Sequence, residues 1–136
     1  MLVFACVSCS KYSVSEHQTE SFVKYYPLDV NDNEGVDILQ TQDGGYVILA
    51  NYRQEASDKD IMLIFCDEFG RKETNSPVHI GTDDYDQGNC ILNISDGFII
   101  AVSSRSGTRK AGFLAKVGNS GQLIWQETYE GYPEME

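Results

Sequence analysis

The chain has 136 residues, 41% of them hydrophobic, and a formal net charge of −11. That length has room for one ordinary domain. The acidic balance argues against a nucleic-acid partner, because phosphate binding leaves a basic footprint. No apolar run of the roughly 18 residues needed for a membrane-crossing helix is present.

Residues 1–9, Met1-Leu-Val-Phe-Ala-Cys-Val-Ser-Cys9, are apolar and end in small residues, like the tail of a secretory h-region. Residues 10–20 are polar and without periodicity, and read as a linker. The alternative for the first segment is a short buried N-terminal strand. Residues 21–26, Ser-Phe-Val-Lys-Tyr-Tyr, precede Gly35 as Thr74 to His79 precede Gly88. They are expected to form an outer strand whose own unit is otherwise absent before them. Residues 29–35 place oxygen side chains at alternate positions, Asp29, Asn31 and Asn33, as a calcium loop does. The glycine comes one residue late, at Gly35, and no bidentate Glu follows at 38–41. An acidic loop recurs at Thr82 to Gly88, which favours a solvated turn over a metal site.

The stretch Asp43-Gly44-Gly45-Tyr46-Val47-Ile48-Leu49-Ala50 combines turn dipeptides with a fully apolar run. Gly accepts positive φ without a Cβ clash, and Gly44 is expected to need that freedom. An apolar run without alternation, bounded by turn residues, reads as a strand buried on both faces. Ile38 and Leu39 stand in front of the turn, so it is expected to close a hairpin. The whole pattern returns. Asp96-Gly97-Phe98-Ile99-Ile100-Ala101-Val102 echoes it, with Ile91 and Leu92 in front. Ile61 to Cys66, followed by Asp67-Glu-Phe-Gly70, is echoed by Gly112 to Val117, followed by Gly118-Asn-Ser-Gly121. A fourth extended piece follows each, at Glu73 to Ile80 and at Leu123 to Glu130. Four strands repeated with a period of about 50 residues are the signature of propeller blades.

The expectation is therefore an all-β fold: two four-stranded antiparallel propeller-type blades plus one N-terminal strand, an incomplete and open β-propeller. A compact two-sheet β-sandwich is the alternative. The units span about 35–87 and 88–136 within a repeat region of 21–136, behind a signal remnant and linker at 1–20. The expected core is Ile38, Leu39, Tyr46, Ile48, Met62, Ile64, Ile91, Phe98, Ile100, Phe113 and Leu114. Asp43, Gly44, Gly45, Asp96 and Gly97 are the structural turns. Residues 53–60 and 103–110 read as long polar loops, the usual place for binding on a regular scaffold. Cys66 and Cys90 read as free thiols, with a disulfide between them the alternative. Trp125 reads as a packing residue on an outer strand.

Two resemblances add to this. Ser8-Cys9-Ser10-Lys11 resembles a lipoprotein signal of Bacteroides-like bacteria. It implies that Cys9, or alternatively Cys6, is the acylated residue, that the start of the chain lies inside a longer signal, and that the protein is anchored in the cell envelope. The pattern Asp-Gly-Gly-Tyr-Val-Ile-Leu-Ala, then Phe113-Leu-Ala-Lys-Val-Gly-Asn-Ser-Gly121, then Leu123-Ile-Trp-Gln-Glu-Thr-Tyr-Glu-Gly131 resembles the propeller-like repeats of secreted and surface proteins from Bacteroidetes. The resemblance covers residues 21–136. The second copy has one Gly after Asp96 and Gly118 in place of Asp. The first copy has Phe65 and Cys66 where Lys116 and Val117 stand, and no Trp after Gly70. The resemblance implies no catalytic residue.

No phosphate loop, Cys-x-x-Cys zinc pair or dinucleotide motif occurs, so no cofactor is expected. The two histidines lie in the linker, His17, and on an outer strand, His79, which supports no triad. The expected function is a non-catalytic binding or scaffold module with a protein or glycan ligand and membrane contact only through the lipid. The rival is a glycan-active hydrolase, which needs two carboxyls about 5–10 Å apart across a pocket.

Overall fold

The computed structural model describes residues 23–26, 32–55 and 58–130. The Gly-rich turn does close a hairpin. Gly44, at φ 91°, takes the left-handed conformation, and Thr41 N donates to Gly45 O while Gly44 N donates to Thr41 O. The strands it joins are β1 (Asp32–Gln40) and β2 (Tyr46–Glu55), and β3 (Asp58–Cys66) and β4 (Val78–Ile80) follow. The second copy supplies β5 (Tyr85–Ile94), β6 (Gly97–Ser106), β7 (Arg109–Val117) and β8 (Leu123–Glu130). Each set forms a four-stranded antiparallel sheet in chain order, sheet I from β1 to β4 and sheet II from β5 to β8. No helix occurs among the described residues, and the two sheets do not close into a ring.

The two units repeat in their irregularities as well. Gly35 and Gly88, at the expected starts of the two units, lie within β1 and β5. Each sits at a bulge, where the register shifts between Gly35 and Asp37 in one unit and between Gly88 and Cys90 in the other. The fourth strands differ. β8 runs over all eight residues expected of it, whereas β4 keeps three. Pro77 has no N–H for a ladder, and beyond β4 the Phe65 N–H donates to Ser76 Oγ at 2.9 Å. Residues 23–26 belong to no strand, against the expectation for 21–26. Val23 and Tyr25 are exposed, and Tyr26 alone is tied down, its hydroxyl donating to Gly70 O at 2.9 Å.

Successive side chains of a strand point to opposite faces, and cross-strand partners share one. In sheet I, Val47, Leu49, Ile61, Leu63 and Phe65 point to one face. In sheet II, Ile91, Phe98, Ile100, Val102, Phe113, Ala115 and Val117 do so. These two faces pack together as one buried core. Each large side chain buried there contributes about 1.5–3 kcal/mol. The other face of sheet I buries Ala50, Tyr52 and Met62 as a smaller cluster.

This corrects the expected core. Ile91, Phe98, Ile100 and Phe113 lie in it, and Met62 and Ile64 are buried on the opposite side of sheet I. Ile38, by contrast, is 58% exposed, and Tyr46, Ile48 and Leu114 are half-buried. Val47, Leu49, Ile61 and Leu63 take the places expected of their neighbours. A strand apolar on both sides carries no parity in its sequence, so only packing shows which face turns inward. The polar loops at 53–60 and 103–110 are corrected too. The strands run on through them, pairing Arg53 with Lys59 and Ser106 with Arg109 around a tight turn at Gly107, φ 59°. In the second unit that polar composition belongs to strand ends that are largely exposed from Ser103 to Lys110.

Candidate functional site

Two places bring side chains from both units together. The first is the seam between the sheets. β5 lies across sheet I as the edge strand of sheet II, and side chains of sheet I accept from two of its backbone amides. Asn51 Oδ1 accepts from Gly88 N at 2.8 Å, and Asp37 Oδ2 accepts from Ile91 N at 3.1 Å. Gly88 is closely packed there: a Cβ on it would come within 3.1 Å of the Leu49 methyls. At the crossover between the sheets, buried Asp86 accepts from Thr82 N and Oγ1 at 2.6 and 2.9 Å and so fixes the connecting turn.

The second place is a cleft of about 230 Å³ where the turns at one end of the two sheets converge. Tyr46, Phe65 and Phe98 supply its apolar wall, the two phenyl rings lying 6.0 Å apart at 59°. Thr41, Asp43, Glu73, Asn93, Ser95 and Asn119 supply its polar rim. Among the described residues no Lys or Arg lines it, so its chemistry suits hydroxyl, amide or cationic groups of a ligand and disfavours an anion. Thr41 Oγ1 donates to Asp43 Oδ1, and that hydrogen bond holds the exposed Asp43 carboxyl below its ordinary range. Beside the cleft, burial pushes the Cys66 thiol up, and burial followed by its hydrogen bond to Cys66 pushes the Tyr26 phenol up to about 12.

The residues singled out in the sequence divide as follows. Cys6, Cys9, Asp29 and Asn31 lie outside the described residues. Asn33 is in β1 and exposed. Asp43 reaches the cleft rim. Gly44 has its positive φ, but Gly45 is the sterically blocked one: a Cβ there would stand 2.5 Å from Cys66 O. Asp96 pairs with Lys116 Nζ at 2.8 Å, which lowers its pKa, and Gly97, φ 145°, lies against Val117 O. Cys66 and Cys90 are free thiols, one buried and one exposed. Trp125 is 42% exposed on the outward face of sheet II, not packed away. Among the described residues no set of three His, Cys, Asp or Glu converges on a metal position. Glu73, Asn93 and Asn119 were not legible as site residues, because each comes from a different turn and only the stacking of the sheets brings them together. Comparison with known protein families, curated proteins and solved structures finds no match.

Proposed function

We propose that this protein is a non-catalytic binding or scaffold module of the cell envelope, lipid-anchored through Cys9 or Cys6 and built from consecutive propeller-type units. The observation that carries the reading is how equivalent units stack. By repeat position Val47 and Leu49 correspond to Ile99 and Ala101, and Phe98 and Ile100 correspond to Tyr46 and Ile48. Sheet I turns its Val47–Leu49 face to sheet II, while sheet II answers with its Phe98–Ile100 face. Unlike faces of like units therefore meet, as they do between successive blades of an array, where each unit contacts its neighbours in turn. The ligand is a protein or a glycan, received at the inter-sheet cleft.

Two measurements test this. Membrane fractionation of the protein made with its full signal should show loss of membrane association on Cys9→Ser; loss on Cys6→Ser alone moves the site, and retention in both variants removes the anchor. Titration of isotope-labelled protein with soluble neutral oligosaccharides and with peptides should shift the amides of Asp43, Asn93 and Asn119; no shift with either class removes the cleft as the binding site. The hydrolase reading draws on Asp43 and Glu73 lining one cleft. Turnover of a fluorogenic glycoside that Glu73→Gln abolishes would establish it in place of the binding module.

A further inference from the structure

We propose that the cleft between the two sheets receives one basic side chain, lysine or arginine, of a partner protein. This rests on the reading of that cleft as the binding site and names the group that enters it. A basic group is indicated by an ion pair that one unit makes and the other does not. In the second unit Lys116 Nζ lies 2.8 Å from Asp96 Oδ2. Asp96 opens the Asp-Gly turn before β6, and Lys116 stands opposite Ile99 in the register. In the first unit Asp43 opens the corresponding turn before β2, and Phe65 stands opposite Val47. Phe65 therefore occupies the place of the lysine. Among the described residues no Lys or Arg forms an ion pair with Asp43. Phe65 is in the wall of the cleft and Asp43 is on its rim, so a basic side chain entering there restores the pair.

The rest of the cleft fits the same group. Glu73, between β3 and β4, adds a second carboxylate from the first unit, while the second unit brings the neutral Asn93, Ser95 and Asn119. The hydrogen bond from Thr41 Oγ1 holds the Asp43 carboxyl below its ordinary range, so it is ionised wherever a lysine is charged. Lys72, next to Glu73 in the chain, is exposed and does not line the cleft. A lysine or arginine lays an apolar stem along aromatic surface and keeps its charged head at the polar edge. Here Tyr46, Phe65 and Phe98 supply that surface, and a cation near such a ring gains further attraction. Size decides between a side chain and a sugar. The volume of about 230 Å³ falls below the roughly 300–1,000 Å³ of pockets that enclose a small molecule, which suits a single side chain. The net charge of −11 draws a basic partner towards the chain.

The test is a titration of the isotope-labelled full chain with blocked Gly-X-Gly peptides, X being lysine, arginine, norleucine or Nε-acetyl-lysine. The lysine and arginine peptides should shift the amides of Asp43, Asn93 and Asn119. The norleucine and acetyl-lysine peptides keep the stem without the charge, and should bind about tenfold more weakly. Salt at about 1 M should remove most of that difference. Asp43→Asn keeps an oxygen for Thr41 to bond, and Glu73→Gln keeps the side-chain length. Both should retain the native melting temperature, and each should weaken the lysine peptide by about fivefold. Equal binding of the lysine and norleucine peptides overturns the proposal and leaves the cleft as a neutral binding site. Lysine-peptide shifts that neither variant weakens also overturn it, because the charge contact then lies elsewhere on the acidic surface. A glucosamine oligosaccharide that shifts the same amides and binds more tightly than the lysine peptide replaces the protein partner by a glycan amine. No shift with any of these probes removes the cleft itself as a binding site, and the proposal with it.

Discussion

Asn51 Oδ1 lies 2.8 Å from the amide nitrogen of Gly88, and this buried bond holds the first strand of sheet II to the centre of sheet I. It satisfies a backbone donor on β5, the edge strand of sheet II. Losing the acceptor leaves a buried N–H without a partner, a cost of about 1–3 kcal/mol. Asn51→Ala is therefore expected to lower stability by about that amount in denaturant titration. Ser103→Ala, at the equivalent but exposed position, should change it by less than about 0.5 kcal/mol.

Gly35 and Gly88 occupy the same position in the two units and face opposite surroundings. A methyl group at Gly35 enters open space, while one at Gly88 meets the Leu49 side chain at 3.1 Å. Gly35→Ala should leave the melting temperature nearly unchanged, and Gly88→Ala should lower it. Gly45→Ala should be worse than either, because its obstacle is the carbonyl of Cys66 at 2.5 Å and backbone cannot turn aside.

Ile100 and Ile38 test the parity of the strands. Ile100 is fully buried in the shared core, and a carboxylate there has no partner. Ile100→Asp should abolish cooperative folding, whereas Ile38→Asp should fold with a transition close to that of the parent chain. Unfolding by both would mean that β1 is buried in solution.

Cys66 and Cys90 should differ in reactivity. In a Cys6→Ser, Cys9→Ser background, a maleimide should label Cys90 in the native protein and Cys66 only after denaturation. Burial restricts access to Cys66 and also raises its pKa, so little of the reactive thiolate forms.

The same shift sets a pH dependence. Cys66 and Tyr26 both have folded-state pKa values above their ordinary ones, so the fold favours their neutral forms. Their contribution is fully present below the ordinary thiol value of 9.0 and is lost as pH rises through the folded values. Stability measured by chemical denaturation should fall above about pH 9, and Tyr26→Phe together with Cys66→Ala should flatten that fall.

The chain by itself determined the strands, their order and their repetition. Turn glycines, apolar runs and echoed spacing are local, and they place the apolar parts of β1–β3 and β5–β7, the whole of β8 and the hairpin at Gly44; the polar strand ends, which the sequence reads as turns and loops at 29–35, 53–60, 82–88 and 103–110, they do not place. The free thiols were also legible, because Cys66 repeats as Val117. The tertiary structure alone decided which side of each strand is core. Tyr46 to Ala50 is apolar at every position, so alternation cannot say that Val47 and Leu49 turn inward while Phe98 and Ile100 do so in the next unit. It alone decided that Gly35 and Gly88 are bulges, since a bulge is a relation to a partner strand. The cleft likewise exists only after stacking: Asp43, Glu73, Asn93 and Asn119 lie far apart along the chain and meet because two sheets pack with unlike faces together.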